Sequence, residues 1–447
     1  MDDPVLLARI QFALTICFHF IFPPISIGLA WLLVVIEGFG WRKSDEIYTR
    51  AGKFFGKLLA INFAIGVATG IVMEFQFGTN WAEYSKVVGD IFGAPLAAEA
   101  LFAFFLESSF LGLYLFGRNR VSRGLHWFSI LMVAVGSTIS AFWIIVANSW
   151  QQTPTGYIFQ NGRAELTSFY DAVFNPSTMV RFLHTVDAAL ITGAFFVAGV
   201  AAYLLLKKKG GDVARKALKV SVIFGLVVSL VELYPLGHEH AVQVAETQPE
   251  KLAAIEGLID GRTNAPMIAF GIPSEDPLSL DMAIEIPIPG ALSWLAFGDT
   301  DAYVKGLNDF PSDEIPPFWL TFVSFHTMVA LGSFFIAAML LGAILLWRKR
   351  LFETRWFLKL LLFSIPLPVI ACELGWVAAE VGRQPWVVYK LLKTADAISL
   401  TVTAGEILFS IIMFSVIYIF LGALYLFLMM RTVKQGPEAV SAKEVTA

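Results

Sequence analysis

Charge is scarce in this chain. Asp, Glu, Lys and Arg make up 15% of the 447 residues and 57% are hydrophobic, whereas soluble proteins carry roughly 25% charged residues. With a mean hydropathy of +0.69, an ordinary soluble protein is excluded. There is no basic excess either. The net charge is -4 and the pI about 5.9, and Lys and Arg sit in short clusters instead of a stripe, which argues against a nucleic-acid surface. The two cysteines, Cys17 and Cys372, lie far apart inside apolar segments, so neither a disulfide framework nor a CxxC metal site is indicated. No internal repeat or low-complexity tract is evident, and an inverted-repeat transporter has no positive support. A cleaved leader is not expected: the start Met1-Asp2-Asp3-Pro4 is acidic, and the apolar stretch after it is too long and lacks a small-residue cleavage site.

What the sequence has in abundance is apolar runs that reach the ~18 to 20 residues needed to cross a bilayer. They fall near 12–37, 54–73, 95–117, 125–149, 181–206, 216–236, 318–346, 356–380 and 399–431, which predicts an all-α polytopic membrane protein with about nine transmembrane helices. Positive charge recurs at every second connection: Arg42, Lys43, Arg50 and Lys53; Arg118, Arg120 and Arg123; Lys207, Lys208, Lys209, Arg215 and Lys216; Arg348, Lys349, Arg350 and Arg355. Because Lys and Arg resist translocation, the N-terminus is expected outside and the C-terminus, after Arg431 and Lys434, in the cytoplasm. The chain then divides into helices one to six (1–236), an extracytoplasmic segment (237–317), helices seven to nine (318–431) and a cytoplasmic tail (432–447). A connection longer than ~15 residues is usually functional or disordered.

Ionisable side chains inside a span cost about 2.5 to 3.5 kcal/mol each and are functional candidates by default. Here they are His19, Glu99, Glu107, His184, Asp187, Glu232, His326, Glu373, Glu380 and Glu406. A lone intramembrane His is as readily a packing residue as a ligand, and a Glu near a span end, such as Glu37, Glu74 or Glu380, is more often solvated. The topology nevertheless puts His19, His184, Met328 and Glu373 in one outer half. His, Met and carboxylate are possible axial haem ligands; a His/Met pair fills both positions of an electron-transfer iron, while a single His or Glu leaves one open for oxygen. Against this, Met in a span is usually core filler. Glu99 and Glu107, eight residues apart, are about 80° apart around an ideal helix and suit either a proton relay or structural hydrogen bonds. Lys251 and Glu256, taken alone, read as a weak surface ion pair.

Several longer motifs resemble subunit I of the cytochrome bd quinol:oxygen oxidases over nearly the whole chain. They are Arg9-Ile10-Gln11-Phe12 leading to His19, GKLLAINFAIGVATGIVMEFQFGTNW from Gly56 to Trp81, GDIFGAPLAAEALFAFFLES from Gly89 to Ser108, HTV at His184, KLAAIE from Lys251 to Glu256, and GRQPW from Gly382 to Trp386. The resemblance implies a terminal oxidase of a bacterial or archaeal cytoplasmic membrane that oxidises quinol at the outer face and reduces O2 to water, building a proton gradient without pumping. It implies His184 and Met328 as ligands of a low-spin haem b, and His19 and Glu373 as ligands of two high-spin haems: one haem b, the other haem d or a third haem b. Glu99, Glu107 and Ser140 match the proton path, Arg9 and Lys57 residues near haem propionates, and Lys251 and Glu256 the quinol loop. The family pairs this subunit with a second polytopic subunit, and in some cases with a small single-span one.

The match has departures. His326 stands where some members have Arg, and Val369 where some have Trp. The quinol loop is short, as in a branch that includes cyanide-insensitive enzymes and enzymes with haem b in place of haem d. His238-Glu239-His240 is no part of the resemblance, and its spacing gives little ground for a metal site. Three rival readings stay open on the residues alone: a quinol-linked carrier that passes electrons elsewhere, a cation transporter using the buried carboxylates, and a degenerate structural partner.

Overall fold

The computed structural model describes residues 3–276 and 279–443. Among them are nine helices long and apolar enough to cross a membrane: Pro4–Lys43, Glu46–Thr79, Ala82–Phe116, Arg123–Gln152, Phe169–Leu206, Gly211–Thr247, Phe318–Trp347, Arg355–Val381 and Ala404–Glu438. They are spans one to nine in chain order. Most run well past the apolar core that announces them. Span one, at 40 residues, is about 60 Å long, twice the ~30 Å hydrocarbon thickness, so it projects beyond the bilayer. Span nine instead starts late, at Ala404, because Thr403 and Glu406 form a capping pair: Thr403 N–H donates to Glu406 Oε2 (2.8 Å) and Glu406 N–H to Thr403 Oγ1 (3.4 Å). Glu406 is therefore a cap in the first turn, and not a charge buried in a span.

Spans one and five form the centre. In their most apolar windows 61% and 78% of residues are buried, against 11% for span nine, which leaves most of that span for lipid or a partner chain. The two central helices touch where glycines meet: a Cβ on Gly193 would stand 2.6 Å from Gly28 Cα, so only small residues allow this approach. Fully buried Leu29, Leu32, Leu33, Ile36, Phe54, Phe55, Leu58 and Phe195 fill the surrounding core.

The basic clusters lie at the connections 44–45, 117–122, 207–210 and 348–354, and three small antiparallel hairpins at the alternate ones. The hairpins pair Tyr157 with Leu166, Met267 with Ile288, and Trp386 with Lys393. Residues 237–317 are not a structureless loop. Span six continues to Thr247, helices follow at Pro249–Glu256 and Ala291–Phe297, and Val244, Leu252, Ile255, Leu258, Leu292 and Val304 make a small core of their own. This segment is tied to the 381–403 connection by Tyr389, whose hydroxyl donates to Glu250 (2.6 Å), and by the Lys390–Glu250 and Lys393–Asp313 ion pairs (2.9 and 3.0 Å). The expected tail is a helical continuation of span nine to Lys443, bent at Gly436 (φ 80°); residues 444–447 lie outside the described residues, as do Pro277 and Leu278 in the long segment.

Candidate functional site

His19, His184, Met328 and Glu373 all sit eight to fifteen residues from the span ends that carry residues 237–317. Contacts bind them into one layer. The Cys17 thiol, on the helix of His19, lies within electrostatic reach of Glu373, and Gly375, two residues after Glu373, faces Met328 so closely that a Cβ there would stand 2.8 Å from the Met328 Sδ. Spans one, seven and eight thus meet at the level of these donors.

The residues fit the haem iron that the family resemblance implies. His19 Nδ1 is 2.9 Å from Thr69 Oγ1, whose hydroxyl is 3.0 Å from the carbonyls of Ile65 and Gly66. With the single hydroxyl proton directed to a carbonyl, the proton of the His–Thr bond belongs to Nδ1, and Nε2 keeps its lone pair for a metal. Gly70 leaves that edge of the ring clear, since a Cβ on it would stand 3.1 Å from Cε1 and 3.7 Å from Nε2. Both carboxylate oxygens of Glu373 are buried and, among the described residues, meet only the weak donor of the Cys17 thiol, a state that a cation would relieve. His184 Nδ1 is 3.1 Å from Glu232 Oε1, and its ring packs edge-on against His240, with centroids 4.9 Å apart. Among the described residues no group of three or more His, Cys, Asp or Glu could hold a free metal ion, so His238-Glu239-His240 is not one; His240 serves as a neighbour of His184. His326 is held at both ring nitrogens by backbone carbonyls, Phe322 at 3.2 Å and Ile268 at 3.1 Å, and Val369 packs against the main core.

Toward the other end, Glu99 and Glu107 line the seam between spans three and four. Ser140 Oγ donates to Glu99 Oε1 (2.7 Å), and Ser137 Oγ donates to the buried Glu107. Ser137 is a partner the sequence reading missed, although its spacing of three from Ser140 puts both on one helix face. The expected 80° between the carboxylates is corrected by a π-helical turn at Glu99–Phe104, just after Pro95. A wide turn of this kind absorbs one residue, so eight positions count as seven and the carboxylates fall within about 20° of one another. Span six is kinked at 232–237, where Tyr234 leaves helical geometry (φ -150°, ψ 123°) just before Pro235. Glu74 and Glu107 both lie within electrostatic reach of Glu99. Glu37, expected near a solvated end, is instead buried in an ion pair with Arg118 and accepts from the Tyr114 hydroxyl at 3.1 Å.

Lys251 and Glu256 are both buried and do not pair, so the surface ion pair is not what forms. Lys251 Nζ donates to Gln152 Oε1 (2.5 Å) and Gln248 Oε1 (2.6 Å); burial, with Arg181 and Arg383 nearby, holds its ammonium well below the usual lysine range. Burial pushes the Glu256 carboxyl up to about 7, and its Oε2 has no partner. Beside them a cleft of about 250 Å³ is lined by Ala245, Pro249, Leu252, Phe297, Tyr303, Val304 and Lys305. Arg9 and Lys57 are exposed and are not brought together. Arg9 is ten residues from His19 toward the end bearing 237–317, and Lys57 thirteen residues from Gly70 toward the other, about 15 and 20 Å away along the helices.

Glu380, Arg383, Asn148 and Gln152 form a further network that sequence reading did not assemble. Arg383 pairs with Glu380, and Asn148 Nδ2 and Gln152 Nε2 donate to Glu380 Oε1 at 2.8 and 3.2 Å. Its members come from spans four and eight and the connection after span eight, so no local pattern announces it.

Comparison with known proteins bears on this arrangement. The family model for cytochrome bd terminal oxidase subunit I matches residues 7–437. The chain is 45% identical over 445 residues to a cytochrome bd ubiquinol oxidase subunit 1 of Bacillus subtilis, covering 97% of this chain and 94% of that one. It is 37% identical to the cytochrome bd-II ubiquinol oxidase subunit 1 of Escherichia coli, covering 100% and 99%. Its fold matches the bd oxidase structure from Geobacillus thermodenitrificans with a TM-score of 0.90 at 33% identity, over 97% of this chain and 100% of that one. Nine long apolar helices, a layer of iron-type donors and these full-length matches lead to one assignment: the chain belongs to the cytochrome bd terminal oxidase subunit I family.

Proposed function

We propose that this subunit oxidises membrane quinol at the end bearing residues 237–317, which faces outside, and that oxygen is reduced to water with protons drawn from the cytoplasmic side. The single observation that carries the reading is the stacking of two carboxylate–serine pairs, Glu107 with Ser137 and Glu99 with Ser140, on one helical seam between the donor layer and the basic end of the bundle. Glu256 takes a proton from quinol and releases it outside. Glu107 and then Glu99, poised by the serine hydroxyls, pass protons inward to the oxygen site. Proton release on one face and uptake from the other separates charge without a pump, each charge being worth about 2.3 kcal/mol per 100 mV.

His184 and Met328 would hold a low-spin haem b; His19 and Glu373 would hold a high-spin haem b and either haem d or a third haem b. Haem in these positions supplies electron transfer and oxygen activation. Residues 1–236 and 318–431 are the haem and proton-carrying body, 237–317 a short quinol loop, and 432–447 a cytoplasmic tail. A second polytopic subunit completes the enzyme, and the largely unburied span nine is one surface where it or a small single-span subunit would dock.

The test is quinol-driven oxygen uptake by the purified complex with Glu107→Gln in place. Turnover falls at least tenfold while the reduced-minus-oxidised spectrum is unchanged; an unaffected rate removes Glu107 from the path.

A further inference from the structure

Two acids inside the spans have no place in the scheme above: Asp187 on span five and Glu232 on span six. Asp187 is 6% exposed and the Glu232 side chain 17%. They stand within hydrogen-bond reach of one another, and among the described residues neither is near enough to a Lys or Arg to feel its charge. Asp187 Oδ2 and Glu232 Oε2 are buried without a donor. Two carboxyl groups this close do not ionise together, so they share one proton and one negative charge. A charge buried in this way is costly unless a hydrogen-bond donor compensates it. A free metal ion is not the compensation, since no group of three or more His, Cys, Asp or Glu gathers among the described residues.

The donor is His184. Asp187 follows it by three residues and shares its helix face, while Glu232 comes from span six where that helix kinks before Pro235. Glu232 Oε1 is 3.1 Å from His184 Nδ1. Nδ1 has no other partner, so a small turn of the ring brings its N–H into line with the carboxylate. A histidine that binds a metal through one ring nitrogen carries its proton on the other, and a carboxylate placed there fixes the ring and makes the imidazole a stronger base. His19, in the same layer, turns its Nδ1 to the Thr69 hydroxyl instead. The two histidines therefore differ in a feature that changes how strongly an imidazole donates to iron.

We propose that Glu232, backed by Asp187, is a positioning residue for His184: it accepts the Nδ1–H in a charge-assisted hydrogen bond and so lowers the midpoint potential of the haem held through that histidine. Negative charge behind the ring favours the ferric iron, the more positive of its two states, and hydrogen bonding to an axial ligand is one of the levers by which a protein sets a haem potential. This rests on the haem reading of His184 given above.

The test is a spectroelectrochemical titration of the low-spin haem in the purified complex, with electron paramagnetic resonance of the ferric low-spin signal on the same samples. Glu232→Gln keeps an acceptor of the same shape and removes the acid that touches the ring. The reduced-to-oxidised ratio at fixed potential then rises about tenfold, a midpoint about 59 mV higher for a one-electron couple, while the g values stay close to the parent's because the ring is still held. Glu232→Leu removes the acceptor altogether, so the midpoint rises at least as far and the g values move as well. The high-spin signals keep their parent midpoints in both variants. If Glu232→Leu does not assemble, Glu232→Gln carries the titration alone. An unmoved low-spin midpoint in Glu232→Gln would overturn the proposal, and so would a rise shared equally by the high-spin haems, which marks a general disturbance of the bundle. A parent complex with no low-spin haem signal would instead bring down the haem reading beneath it, an outcome visible before any variant is made.

Discussion

Thr69 is the sharpest handle on His19, the ligand proposed for the oxygen site. Its hydroxyl is 2.9 Å from His19 Nδ1 and anchored by carbonyls one turn back on its own helix, and the side chain is 1% exposed. Thr69→Val keeps the shape and removes the hydroxyl. The imidazole then loses the bond that fixes its tautomer and its rotation about χ2. Loss of such an outer-shell partner typically costs 10- to 100-fold in affinity for the bound metal, or about 1.4 to 2.8 kcal/mol. The assay is equilibration of the purified complex with graded excesses of a haem-scavenging apoprotein, followed through the high-spin absorption. The Val variant should give up its high-spin haem at a 10- to 100-fold lower scavenger ratio, the low-spin signal should persist, and Thr69→Ser should behave like the parent. Equal retention in the Val and parent proteins would refute the orientation of His19 by Thr69.

Three further outcomes follow from the geometry. Glu256, with its carboxyl raised to about 7 by burial, is protonated below that pH and a base above it, so quinol oxidation should climb between about pH 6 and 8; a rising limb that survives in Glu256→Gln would remove it as the acceptor. His184→Ala should abolish the low-spin signal while leaving the high-spin one, as seen in reduced-minus-oxidised spectra, and its persistence would sink that ligand. Gly193→Ala forces a methyl against Gly28 at an overpacking cost of about 1 to 3 kcal/mol, which thermal unfolding in detergent would register as a lower midpoint.

Much of the fold was legible because a span is announced by a run of apolar residues, and the nine runs led to nine such helices among the described residues. The shared depth of the four donors was legible for a related reason: counting residues from alternate ends fixes depth to about two turns. Side-chain partners were not. Ser137 and the Glu380 network join residues 30 and more than 200 positions apart, which no local pattern encodes. Glu37 looked solvated because it stands near a span end, yet Arg118, 81 residues on, makes burial tolerable. The cap at Thr403 and Glu406 was readable in principle as Thr-x-x-Glu but was obscured by the apolar run on either side. Nothing in EALFAF distinguishes a π turn from an α turn, so the facing of Glu99 and Glu107 could only come from coordinates.

That wide turn makes the protein unequally tolerant of changes in chain length. Deleting one residue inside 99–104 would restore ordinary helix and leave Glu99 and Glu107 seven apart, still sharing a face. Inserting one between Phe104 and Glu107 would swing the second carboxylate by about 100°, away from Ser137 and toward a different neighbour. Natural variation in length along this stretch should therefore run toward shortening, and any lengthened relative should carry a compensating loss nearby.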